Sequence, residues 1–251
     1  MTFDDIVVGK FNEMAVYAGY RTLEDNVAGV NPLCIYGDSG VGKTTLLNCI
    51  YEKAKSLKKH VVYVTAREFC EDLINSIKHN DRHCFKEEYY NLDLLIIDEI
   101  DFFSGKEATT EEFSNVARKM IDDGKKLVVS SLCHPGKIKK LDKSIINLIQ
   151  SGLICKVSCP DIDSRKTILK KYSKGFDKKL PNDILNLIAE TVDNNIFVLI
   201  GVYNWASALQ ELNADLITKS ELIETTKDLI AELKQLDNRT RRKEKNIVSD
   251  I

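Results

Sequence analysis

Five short apolar runs alternate with stretches of helical spacing over the first 160 residues of the chain. The runs are Pro32-Leu33-Cys34-Ile35-Tyr36, Val61-Val62-Tyr63-Val64-Thr65, Leu92-Asp93-Leu94-Leu95-Ile96-Ile97-Asp98-Glu99, Leu127-Val128-Val129-Ser130-Ser131 and Ile154-Cys155-Lys156-Val157-Ser158. Their β-branched and aromatic content predicts strands. The third is apolar on both faces, as in a parallel sheet covered from both sides. Helical spacing is predicted near 11–24, after Lys43, and through 66–90, where Phe69, Leu73, Ile74 and Ile77 share one face and Phe85 and Tyr89 another. From about Pro160 the strands disappear. Helices are then predicted at 161–173, 182–192, 195–211 and 219–236, with Leu180-Pro181 introducing the second and Thr218 to Ser220 offering caps for the last. This order predicts an α/β domain over 1–159, with a parallel sheet sandwiched by helices. A small all-helical domain follows over 160–236, and then a basic tail over 237–251, expected to be frayed.

Between the first strand and its helix lies Gly37-Asp38-Ser39-Gly40-Val41-Gly42-Lys43-Thr44, a complete G-x-x-x-x-G-K-T phosphate loop. Its glycines let the backbone curl so that N–H groups converge on phosphate oxygens, and the positive end of the helix adds to the anion site. Lys43 is expected to reach the β- and γ-phosphates, with Thr44 on Mg²⁺ and Thr45 beside it. The third strand ends in Asp98 and Glu99, where parallel sheets place their chemistry. Asp98 suits a Mg²⁺ ligand, direct or through water, and Glu99 suits a residue polarising the attacking water. An acidic turn alone is a common feature, and its pairing with the loop gives it weight. Catalytic candidates are therefore Glu99, Asp98 and Lys43, and the cofactors implied are ATP or ADP with Mg²⁺.

Composition adds bounds rather than direction. The 251 residues are 43% hydrophobic and 29% charged, with a formal net charge of −2, so any nucleic-acid contact must come from a local patch. Met1-Thr2-Phe3-Asp4-Asp5 lacks the basic and apolar regions of a secretory signal, and no apolar run reaches membrane-spanning length. Seven cysteines at unrelated spacings fit reduced thiols and a cytoplasmic setting. Cys155 with Cys159, and Cys133 before His134, do not make a zinc ligand set. Tyr203 and Trp205, two apart on a predicted helix, cannot share a face, and core packing is expected for them rather than base stacking.

Over residues 2–236 the chain resembles the AAA+ ATPase core of the bacterial replication initiator DnaA family. The resemblance rests on Phe3-Asp4-Asp5-Ile6-Val7-Val8-Gly9-Lys10 with Asn12, on Asn31 entering the phosphate loop, and on Tyr63-Val64 followed by Glu68-Phe69 and Asp72-Leu73-Ile74. It continues through Asp98-Glu99-Ile100-Asp101-Phe102-Phe103 with Gly105-Lys106-Glu107, then Pro160-Asp161, Arg165 and Asn195-Ile196 with Gly201. It implies a phosphate-loop NTPase fold with a helical lid, an adenine lying along Val7, Val8 and Asn12, and single-strand contacts at Ile74, Lys106 and Thr109. The basic residue expected at Ala108 is missing. Gly201 is expected to permit close approach to the sheet domain.

Three departures accompany the matches. The family's acidic first sensor falls on Leu132, its arginine finger near Leu148, and its second sensor arginine on Phe197. A cationic finger stabilises charge on the γ-phosphate, which leucine and phenylalanine cannot do. Lys143 is a weak substitute because its reach and geometry differ. The reading is a stand-alone, DnaA-like nucleotide-binding protein with slow hydrolysis, which assists or regulates replication by contacting the initiator or the replicative helicase. Single-stranded DNA is bound weakly, and no duplex-reading domain is expected. Alternatives left open are a helicase loader or mobile-element ATPase of the DnaC and DnaI type, and a nucleotide-stabilised scaffold without turnover.

Overall fold

A computed structural model of the chain describes residues 2–24, 29–193, 195–213 and 217–249, with side chains through residue 235. The chain divides into two units, Met1–Ser158 and Cys159–Ile251.

In the first unit the five apolar runs form strands β1 (Leu33–Tyr36), β2 (Val61–Thr65), β3 (Leu94–Asp98), β4 (Lys126–Ser131) and β5 (Leu153–Lys156). All pair in parallel in the order β2-β3-β4-β1-β5. Every residue of β3 is buried, as its unbroken apolar run requires. The helices of this unit are α1 (Glu13–Arg21), α2 (Lys43–Ser56), α3 (Ala66–Lys78), α4 (Arg82–Tyr90), α5 (Glu107–Asp122) and α6 (Lys143–Gln150). An aromatic cluster in the core centres on Phe69, whose ring stands edge-on to Phe85, Tyr89, Phe103 and Phe113 at 4.9–5.9 Å.

The helix expected through 66–90 is two helices. Asn80 takes φ +54°, the left-handed conformation that asparagine tolerates, and Asp81 then accepts from the Cys84 N–H to start α4. At the other end of α3 a capping box closes between Thr65 and Glu68.

The second unit holds α7 (Ile162–Tyr172), α8 (Asn182–Thr191), α9 (Ile196–Leu212) and α10 (Lys219–Ser249). They bury Leu169, Ile184, Ile188, Leu199, Val202, Tyr203 and Leu222 together. The final helix does not stop near 236 but takes in the basic stretch expected to be frayed. Arg165 is buried, donating through Nε to Ala189 O and through Nη1 to Pro160 O, so its guanidinium caps the carbonyl end of α8. Tyr203 packs in the core as expected, but Trp205 is exposed, because α9 turns the two residues to opposite sides.

Candidate nucleotide site

Strand order decides what meets at the C-terminal edge of the sheet. β4 lies between β3 and β1, so its last residues stand between the acidic turn and the phosphate loop. The Ser130 hydroxyl donates to Asp98 Oδ1 and accepts from the Glu99 N–H at 3.0 Å. One residue on, Ser131 O accepts from the Gly37 N–H at 3.2 Å. Two serines thus stitch loop and carboxylates to one strand end.

The loop itself is built by backbone geometry that glycine allows. Gly40 and Gly42 hold φ +78° and +100°, which turns the chain into the first turn of α2. Gly37 is required for space: a Cβ there would lie 2.1 Å from Val157 O. Asp38 and Ser39 are exposed at the rim, Val41 anchors the loop in the core, and Thr45 is half-buried on α2.

Lys43 is 7% exposed and bends back over the loop, donating from Nζ to Gly37 O at 2.6 Å and Asp38 O at 2.9 Å. Burial holds its pKa below the ordinary lysine value, while the carboxylates of Asp98, Asp101 and Glu99 oppose that shift. A buried cation resting on two carbonyls is a donor kept ready for a stronger acceptor, and a phosphate chain is one.

Asp98 is 4% exposed and collects three hydroxyls: Thr44 Oγ1 at 2.9 Å, Tyr63 OH at 3.1 Å and Ser130 Oγ. Burial, with this carboxylate close by, pushes the Tyr63 phenol well above its ordinary value, so it stays protonated and donates to Asp98. The Thr44 hydroxyl and an Asp98 oxygen present hard oxygen ligands side by side, a donor set that fits Mg²⁺. Glu99 holds φ +61°, a conformation that costs a non-glycine residue about 1–3 kcal/mol. Its side chain is exposed, in contrast to the buried Asp98 and Ile100 on either side.

Residues placed on the adenine by resemblance form a small turn. Asn12 accepts from the Gly9 N–H at 3.0 Å and donates to Val7 O at 3.0 Å, so its side chain shapes the 7–9 backbone. Val8 is exposed. Of the three DNA candidates, Ile74 is exposed on α3. Lys106 lies over the Phe102 ring, 3.6 Å from its centre, and donates to Phe102 O. The Thr109 side chain is buried and hydrogen-bonded with Cys70.

Sequence reasoning missed three groups here: Tyr63 and Ser130 on Asp98, and Asp101, whose Oδ2 accepts from the Leu132 N–H at 2.8 Å. The signal for Asp101 was present, a third carboxylate three residues beyond Asp98. The hydroxyls of Tyr63 and Ser130 became readable only with the strand order.

Fold and loop together define a phosphate-loop ATPase domain of the AAA+ class. A family model described as the bacterial DnaA ATPase domain matches residues 1–156, and the chain belongs to that family. It is 35% identical over 230 residues to the chromosomal replication initiator protein DnaA of Lactiplantibacillus plantarum, covering 91% of this chain and 50% of that protein. The chain thus spans about half the length of the curated relatives it matches. Domain III of the Thermotoga maritima replication initiation protein DnaA superposes with a TM-score of 0.84 at 32% identity, covering 91% of this chain and 96% of that one. A replication initiator DnaA bound to AMPPCP and single-stranded DNA superposes at 0.76 with 27% identity, covering 82% and 64%. Among the described residues no helix is long and apolar enough to cross a membrane.

Proposed function

We propose that this chain binds ATP or ADP with Mg²⁺ and acts in the initiation of DNA replication or its regulation. The observation that carries the reading is the Thr44–Asp98 contact at 2.9 Å beside the Lys43 ammonium, which together make a phosphate-and-metal pocket. Loop amides and Lys43 hold the phosphates, Thr44 and Asp98 hold the ion, and Glu99 orients a water. When bound, Mg²⁺ supplies charge neutralisation at the phosphates. The AMPPCP-bound DnaA structure supports the nucleotide assignment by likeness.

Hydrolysis is slow in this reading. Leu132, 47% exposed at the tip of β4, Leu148 in α6 and the exposed Phe197 bring no charge to the terminal phosphate. Contacts with the initiator, with the replicative helicase and with single-stranded DNA, through Ile74 and Lys106, follow from the family rather than from the geometry. Parallel capture of both proteins and of single-stranded DNA with ATP, ADP and no nucleotide, alongside a phosphate-release assay, tests the reading. Nucleotide-dependent capture with little phosphate release supports it, whereas capture of none of the three or brisk self-stimulated turnover contradicts it.

A further inference from the structure

The peptide unit between Ser131 and Leu132 is held at both ends. Its carbonyl, Ser131 O, accepts from the N–H of Gly37, the first residue of the phosphate loop. Its amide, Leu132 N, donates to Asp101 Oδ2 at 2.8 Å. One peptide therefore links a carboxylate to the loop that would hold the phosphates, and hydrogen bonds in such a chain polarise one another. The Cys133 thiol faces the other Asp101 oxygen at 3.9 Å, and Ser131 Oγ donates to Cys133 O at 2.7 Å, so the strand end is fixed around this one side chain. Leu132 turns its own side chain to solvent and supplies only its backbone. Asp98 is committed to three hydroxyls, and Glu99 faces solvent. Asp101 is the remaining carboxylate of the turn, and neither metal binding nor water activation uses it.

We propose that Asp101 is a specificity-determining residue that sets the balance between nucleoside triphosphate and diphosphate through its charge, which the Ser131–Leu132 peptide holds against the phosphate loop. The inference rests on the nucleotide-binding reading above. The sign follows from charge. A fixed carboxylate on the loop side of the sheet opposes each added phosphate charge and competes for Lys43, whose ammonium lies within its field. A triphosphate carries one more negative charge than a diphosphate, so Asp101 lowers the preference for ATP over ADP. The carboxylate thus biases the site toward product.

The test is equilibrium titration of the full chain with fluorescent ATP and ADP analogues in Mg²⁺, for the wild type and two variants. Asp101→Asn keeps an acceptor for the Leu132 N–H and removes the charge, so the ATP:ADP affinity ratio rises about threefold or more. Asp101→Glu keeps the charge and leaves the ratio within about twofold of the wild type. A melting temperature for each variant registers a purely structural role, which would lower stability and weaken both nucleotides alike. An unchanged or lowered ratio in Asp101→Asn overturns the proposal while the nucleotide reading stands. Failure of the wild type to bind either nucleotide overturns both.

Discussion

Thr44 Oγ1 donates to Asp98 Oδ2 across 54 residues of sequence, at 2.9 Å. The contact joins the first turn of α2, the helix that follows β1, to the end of β3, and β4 lies between those two strands. It sets the phosphate loop directly against the acidic turn.

Asp98 is also a structural keystone of that pocket, so its removal shows in stability without any ligand. Asp98→Ala leaves the Tyr63, Ser130 and Thr44 hydroxyls without their acceptor and costs about 2–4 kcal/mol. Tyr63→Phe removes a single donor, costs about 1 kcal/mol, and lowers the melting temperature by about 2–4 °C. Calorimetry of the nucleotide-free protein checks both.

Acid weakens the fold through carboxylates that accept hydrogen bonds. Glu68 accepts from the N–H and hydroxyl of Thr65, and Asp93 accepts from Lys125 and from the His60 N–H. These bonds hold both groups below their ordinary values of 4.5 and 3.8. A folded pKa below the unfolded one means the stabilisation is fully present above the ordinary value and is lost as pH falls through the folded value. Urea midpoints therefore fall as pH drops from about 5 to below 4. Glu68→Gln and Asp93→Asn start from a lower midpoint at neutral pH and show a shallower acid limb.

Thiol chemistry separates surface from core. Burial pushes the Cys34 thiol up to about 12 and those of Cys49 and Cys155 to about 11, whereas Cys84 is exposed on α4 and its thiol is raised by its hydrogen bond to Asp81 rather than by burial. A thiol reagent at pH 8 labels Cys84 first, and Cys84→Ser removes that fast phase. Cys34, Cys49 and Cys155 react only as fast as the protein opens. Mass spectrometry of labelled peptides reads the order.

What the sequence disclosed follows from what its signals measure. β3 was legible because a strand buried on both faces must be apolar throughout, and the phosphate loop because its glycines and lysine sit at fixed spacing. The break at Asn80 and Asp81 was masked by helical periodicity on either side, although an asparagine before a capping aspartate is itself a stop signal. Pairings made across strands stayed hidden. The carboxylate of Asp101 was visible in the sequence, but neither its bond to the Leu132 amide nor that of Ser130 to Asp98 has a local pattern, since each depends on β4 pairing with β3. The burial of Thr109 on α5 was hidden too, because a likeness at one position says nothing of what packs against it.

Calorimetric titration of ATP with Mg²⁺ into the wild type and Lys43→Ala addresses the central claim most directly. In the proposed reading Lys43 gives the phosphates a charge-assisted bond worth up to about 3 kcal/mol, so the alanine variant binds about 100-fold more weakly while its fold is retained. Equal affinity in the two proteins, or no heat of binding in the wild type, would contradict the account.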